Sequence, residues 1–188
     1  IQPATDVGST LTASSTLING NLIVSNNTWT VDSPGGVTVN GNVTLNQQAV
    51  VTVPDSDALT ARLSGLTLTS PGTLTVEAGS RIDLTGKGYP AGFGIGFTAV
   101  GQYAAGSHAA AGGSDINSSS NNFAAAAAYG DSAAADLAGG GGYYSAGGGA
   151  LRLSVADLLL DGDIRANGLS VDAGRSGAGG SIRLTVQN

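Results

Sequence analysis

Apolar residues alternate with Thr, Ser, Arg or Asp in most of a series of short runs: Val37 to Val39, Val50 to Val53, Leu66 to Leu68, Leu74 to Val76 and Ile82 to Leu84. Period-two alternation marks a strand with one buried face and one wet face. Turn pairs at Pro34-Gly35, Asn40-Gly41, Pro71-Gly72 and Ala78-Gly79 separate the runs. No convincing amphipathic helix precedes residue 86. The pattern predicts an all-β chain of short strands.

Two echoes give the strands an order. Asn19-Gly20-Asn21-Leu22-Ile23-Val24 returns as Asn40-Gly41-Asn42-Val43-Thr44-Leu45, 21 residues later, and a related Asp161-Gly162-Asp163-Ile164 stands near the end. Gly148-Gly149-Ala150-Leu151-Arg152-Leu153-Ser154-Val155 returns as Gly179-Gly180-Ser181-Ile182-Arg183-Leu184-Thr185-Val186, offset by 31. Repeats of this length are the sequence mark of solenoids, in which each unit buries its apolar face only by stacking on the next. They favour a right-handed parallel β-helix whose inward Leu, Val and Ile pile up from rung to rung. A β-sandwich is the alternative, since it also uses short, regularly spaced strands but needs no sequence repeat.

Residues 86–149 break the pattern. These 64 residues hold 17 Gly, 17 Ala and eight of the nine aromatic side chains. A flexible linker has no use for rings, so the segment is expected to fold as a Gly/Ala-rich aromatic insertion within a single domain spanning 1–188. Ala124 to Ala128 and Ala133 to Ala135 are candidates for short helices, interrupted at Tyr129-Gly130-Asp131 and marginal without packing. Glycine runs at Gly139 to Gly142 and Gly147 to Gly149 permit the alternative, chain segments side by side in extended or polyproline-like form. The rings at Tyr89, Phe93, Phe97, Tyr103, Phe123, Tyr129, Tyr143 and Tyr144 have two uses. They can form a satellite core that fastens the insertion to the strands, or some can stay exposed and stack on sugars or a partner. Tyr143 and Tyr144, adjacent and flanked by glycines, lead the ligand-binding candidates, with Tyr129 beside them.

Composition narrows the partners. A formal charge of −6 with seven scattered Lys and Arg argues against nucleic acid, which needs clustered cations. No apolar run approaches the roughly 18 residues that span a bilayer, so membrane insertion is not expected. The chain has no Cys and no Met. The first excludes disulfides and thiolate chemistry; the second implies a processed mature protein or a piece of a longer one, with a removed signal peptide the simplest account. Both fit an exported protein stabilised by repeated packing.

The runs Leu17 to Leu22, Gly72 to Val76 and Leu158 to Ile164 resemble rungs of secreted bacterial β-helix proteins, the filamentous-haemagglutinin-type adhesins and pectin-lyase-like folds. The stretches Gly106 to His108, Tyr129 to Asp131 and Leu137 to Leu153 are similar to Gly-rich segments of large bacterial surface proteins. The resemblance implies an exported structural or adhesive role and names no ligand.

Candidate chemistry is sparse. His108 is the sole histidine, with Ser107, Ser114 and Asp115 near it in sequence, yet no nucleophile elbow is present. Asp161 and Asp163 with Asp172 are the candidate calcium ligands, and Asp131 and Asp136 a second pair of similar standing, although Asp at a turn already has a structural reason to be there. Asp55, Asp57, Glu77 and Asp83 are the acids that a polysaccharide-acting enzyme could draw on, with Lys87 the only lysine. Thr-x-Thr pieces at Thr10, Thr28, Thr67 and Thr73 suit a half-exposed strand without invoking an ice surface. No P-loop ending follows any glycine run. The expectation is a non-enzymatic, cofactor-free extracellular module of a cell surface or matrix, an adhesin or structural protein partnered by copies of itself, assembling as a filament. A carbohydrate-binding module or polysaccharide-acting enzyme is the alternative, with glycan as partner.

Overall fold

The computed structural model describes residues 9–57, 65–97, 104–113, 115–116, 122–131, 133, 135–170 and 175–188. Among the described residues there is no helix, and the Ala124 to Ala128 run takes none. The strands are β1 (Ser9–Thr12), β2 (Thr16–Ile18), β3 (Leu22–Ser25), β4 (Thr28–Asp32), β5 (Val37–Val39), β6 (Val43–Asn46), β7 (Val50–Thr52), β8 (Gly65–Val76), β9 (Arg81–Asp83), β10 (Asp115–Ile116), β11 (Asn122–Phe123), β12 (Ala150–Leu160), β13 (Asp163–Arg165) and β14 (Ser181–Val186).

Two large sheets account for twelve of them, and every pairing in both is parallel. One runs β1-β4-β7-β9-β13; the other runs β14-β12-β8-β5-β2, with β3 paired to β6 and β6 to β8. The antiparallel pairing expected of a β-sandwich occurs, among the described residues, only between the two-residue strands β10 and β11. Registers join residues 20 to 22 positions apart in the early passes, such as Ser9 to Trp29, Leu22 to Val43 and Thr28 to Val50, and 31 apart where β6 meets β8. The two short strands of an early pass become one long strand, β8, whose halves pair separately with β5 and β6. β12 repeats this over β8 with a register shift between Val155 and Asp157.

Alternation puts like on like. Leu22, Val43, Leu74 and Leu158 form one inward rank; Trp29, Val51, Ile82 and Ile164 form another on the opposite sheet. Both sheets feed a single hydrophobic cluster. The cluster is built from Val, Leu, Ile and Ala, with Trp29 partly buried against it.

The Asn-Gly-Asn echo is a stack. Asn40 Nδ2 donates to Asn19 Oδ1 at 2.9 Å, and the Asn42 amide donates to Asn21 Oδ1 at 2.9 Å. Asn42 Oδ1 in turn accepts the Thr73 amide at 3.0 Å. Asn21 and Asn42 thus each serve a backbone donor one pass along, which a turn on a strand face would otherwise leave unpaired, while Asn19 and Asn40 bond side chain to side chain. Gly41 is required by contact: a Cβ there would sit 2.6 Å from the Gly20 carbonyl. Asp161-Gly162-Asp163 does not continue this stack. Its amides bond to Val76 and Ser80, and Asp163 pairs with Arg81, so it lies over the turn at Glu77 to Ser80. Asx-Gly is local turn chemistry, and similarity of turns does not guarantee the same corner.

The glycine-rich segments hold together without strands. The Gly88 amide donates to Gly147 O, Tyr89 to Gly139 O, Gly139 to Gly148 O, Gly148 to Ala178 O, and Ala178 to Gly140 O, all at 2.7 to 3.0 Å. A Cβ on Gly148 would overlap the Ala166 carbonyl oxygen, and one on Gly141 the Pro90 carbonyl oxygen. Backbone therefore packs directly on backbone, in keeping with the side-by-side arrangement that the glycine runs permit. The packing extends past residue 149, since 166–169 and 175–180 are bonded into it. Links from Gly86 to Asn167 and from Gly149 to Leu84 tie it to the strands.

Candidate functional site

On the outward face of the larger sheet, the ranks beside the core row are polar. Thr67 of β8, Arg152 of β12 and Arg183 of β14 stand in one register, and Thr69, Ser154 and Thr185 stand in the next outward register. They line a shallow depression of about 190 Å³. Arg152 Nη2 meets Asp136 Oδ2 at 2.8 Å. Arg183 is exposed and makes no ion pair among the described residues. Two guanidinium groups on neighbouring strands, with one carboxylate paired to Arg152, leave a local excess of positive charge on a protein of net charge −6.

The sequence-predicted tyrosines divide. Tyr143 and Tyr144 touch edge to face, with ring centroids 4.4 Å apart. Tyr144 is exposed, and the Arg175 guanidinium lies 5.4 Å from its ring centroid. Tyr129 instead sits in a small cluster, 6.4 Å from the Tyr89 ring and 5.2 Å from His108. Its hydroxyl donates to Ala138 O at 2.5 Å. Burial, with Tyr89 adding to it, pushes the Tyr129 phenol well above its ordinary value. Phe93 is exposed, and Tyr103 lies outside the described residues. The rings thus divide between packed and exposed positions.

Several of the residues singled out for catalysis or metal make contacts within the fold. Ser107 is buried; its hydroxyl donates to Ala126 O at 2.7 Å and accepts the Gly112 amide at 2.9 Å. His108 Nε2 is 3.4 Å from the Ser181 hydroxyl, which itself donates to Leu137 O at 2.6 Å. Asp131 accepts the Ala133 amide. Asp163 pairs with Arg165, and Asp55 with Lys87 at 2.6 Å. Asp161 and Glu77 are exposed. Ser114 and Asp172, and the side chain of Asp115, lie outside the described residues. Among the described residues no three His, Cys, Asp or Glu side chains assemble as a metal ligand set.

The Asp83 carboxyl is perturbed. Burial acts to raise its pKa, but hydrogen bonds from Thr85 and the adjacent Arg81, 3.2 Å away, outweigh it and hold the carboxyl below its ordinary 3.8. A folded value below the unfolded one contributes stability that is present above about pH 4 and is lost as pH falls through the folded value. Thermal unfolding followed across acid pH should show wild type more stable than Asp83→Asn near neutrality and the two converging well below pH 3.8. A gap that persists unchanged into acid would remove the charge from the explanation.

The arginine depression escaped the sequence reading, although its signal was present. The echo offset by 31 contains Arg152 and Arg183 at equivalent positions, and stacking turns equivalent positions into neighbours. No protein-family profile, curated protein or solved structure matches this chain.

Proposed function

We propose that this chain is a non-enzymatic extracellular module, structural or adhesive, built as a right-handed parallel β-solenoid and adding to copies of itself end to end. Parallel registers that recur at 21, 22 and 31 residues, with like residues in rank, support the solenoid. The hand follows from the strong right-handed preference of parallel crossover connections. Export comes from the resemblance to secreted bacterial β-helix proteins, with which the absence of Cys is compatible.

The observation that carries the assembly is the edge strand β14. Ile182, Leu184 and Val186 stand in register with Leu151, Leu153 and Val155. The three on β12 are 0 to 2% exposed; the three on β14 are 38 to 43% exposed. β14 therefore presents a core row without a cover, beside an edge with free backbone donors and acceptors. Such an edge is a template for another strand. The opposite end of the same stack, at β1 and β2, offers parallel strands of the same spacing. A contact between unlike ends does not close, and it propagates as a filament.

Sedimentation velocity from micromolar to millimolar protein should show species growing beyond the monomer. Leu184→Arg, which puts a charge into the uncovered row, should abolish the growth and leave the thermal transition in place. A strictly monomeric wild type over the whole range would sink the assembly.

A further inference from the structure

We propose that the depression between Arg152 and Arg183 binds an oxyanion borne on a small hydroxylated carrier, a carboxylate on a sugar-like skeleton. The inference stands apart from the assembly reading, because it concerns the outward face of β12 and β14 and not their core row or edge.

Three observations converge on it. The chain has six Arg in all, and two of them occupy adjacent places in one rank. Neighbouring strands are only about 4.8 Å apart, and like charges directly beside each other on a sheet destabilise it. The same rank on β8 carries Thr67, so an uncharged residue fits the position. Asp136 offsets Arg152, and Arg183 has no ion pair among the described residues. A bound anion placed between the two guanidinium groups would turn the repulsion into two charge-assisted contacts. Guanidinium suits this role because its planar fork matches a carboxylate with two parallel hydrogen bonds.

The rim sets the carrier. Thr67, Thr69, Ser154 and Thr185 place hydroxyl groups, each a donor and an acceptor, around the cations. Their spacing is fixed by the rise along a strand and the distance between strands, about 6.8 Å by about 4.8 Å for alternate residues on neighbouring strands. Hydroxyls on a ligand find hydrogen-bond partners there that an aliphatic acid cannot use, although Leu153 also contributes to the lining. The volume of about 190 Å³ is below the roughly 300 Å³ at which sites for drug-sized molecules begin, so a single small acid fits and a large one would overhang.

Titration of the isotopically labelled chain with gluconate, acetate and inorganic sulfate, read by NMR, tests this directly. Gluconate should shift the Nε resonances of Arg152 and Arg183 and the amides of β12 and β14, saturating in the millimolar range. Acetate, of equal charge but without hydroxyls, should bind at least threefold more weakly. Arg183→Gln should weaken gluconate at least fivefold, and Arg183→Lys should recover only part of the loss because the fork is gone. Arg183 is exposed, so an unchanged thermal transition in both variants certifies the fold. No shift at either arginine with gluconate, or equal shifts in Arg183→Gln, overturns the site. Equal affinity for acetate and gluconate overturns the hydroxylated carrier, and tighter binding of sulfate than of gluconate overturns the carboxylate.

Discussion

Replacing Gly180 by Ala should destabilise the protein by about 3 kcal/mol or more, while the same change at Gly179 should leave stability within about 0.5 kcal/mol of wild type. The two positions are neighbours and differ by one methyl group in what passes them. A Cβ on Gly180 would overlap the Gly149 carbonyl oxygen and lie 2.5 Å from the Gly148 carbonyl oxygen. Backbone on both sides leaves no flexible side chain to give way. Relief would require 178–180 to withdraw, forfeiting the Gly180 amide bond to Ala166 O, the Ser181 bond to Gly149 O and the Gly148 bond to Ala178 O, each worth about 1 kcal/mol net. A Cβ on Gly179 meets nothing nearer than Ala166 O at 3.9 Å. Alanine there restricts the unfolded chain and can even stabilise slightly. Chemical denaturation of the two variants decides the matter. Equal loss at both positions would mean that glycine is needed for conformation and not for contact.

Leu74→Ala should cost about 3 to 4 kcal/mol, whereas Leu159→Ala on the outward face of the stack should cost under about 0.5 kcal/mol. Leu74 is fully buried on β8, between Val43 of β6 and Leu158 of β12 in the inward rank. A rank of this kind has no second layer behind it. Removing three heavy atoms leaves a void bounded by fixed strands on both sides, and the strands cannot close over it without breaking their ladders. At the entropy typical of a chain of this size the loss corresponds to a fall of roughly 10 °C in the unfolding midpoint. Calorimetry on both variants would show it. A Leu74→Ala midpoint within about 2 °C of wild type would mean that the facing sheet collapses freely, contrary to the ordered cluster described above.

Parallel stacking was readable wherever identity of residue and identity of rank coincide. The echo from Gly148 to Val155 and from Gly179 to Val186 aligns β12 with β14 residue for residue from Ala150 and Ser181 onward. The Asn-Gly-Asn echo aligns β3 with β6 in the same way. It failed at Asp161-Gly162-Asp163, since the pairing of that turn depends on which strand runs beneath it and not on its own chemistry. The glycine-rich packing was legible only as an option. Its segments lack a hydrophobic period, and whether a glycine is indispensable is decided by a distant carbonyl, as the contrast of Gly179 with Gly180 shows. Tyr129 illustrates the same limit: nothing around it in sequence indicates that Tyr89 and His108 will close on its ring. The arginine rank was available from the 31-residue offset but became meaningful only once stacking set the two side chains side by side.

The pairing of β8 with β12 joins Gly65 to Ala150, and that separation divides the order in which the molecule can be built. Strand pairings from β1 through β9 link residues at most 31 positions apart, so loop closure there is inexpensive and early passes can form quickly. The β12 ladder has to wait for a loop more than twice as long to be gathered in. Until then β8 waits with an open edge, which makes the half-built chain, and not the finished one, the species most exposed to capture by a neighbour during folding.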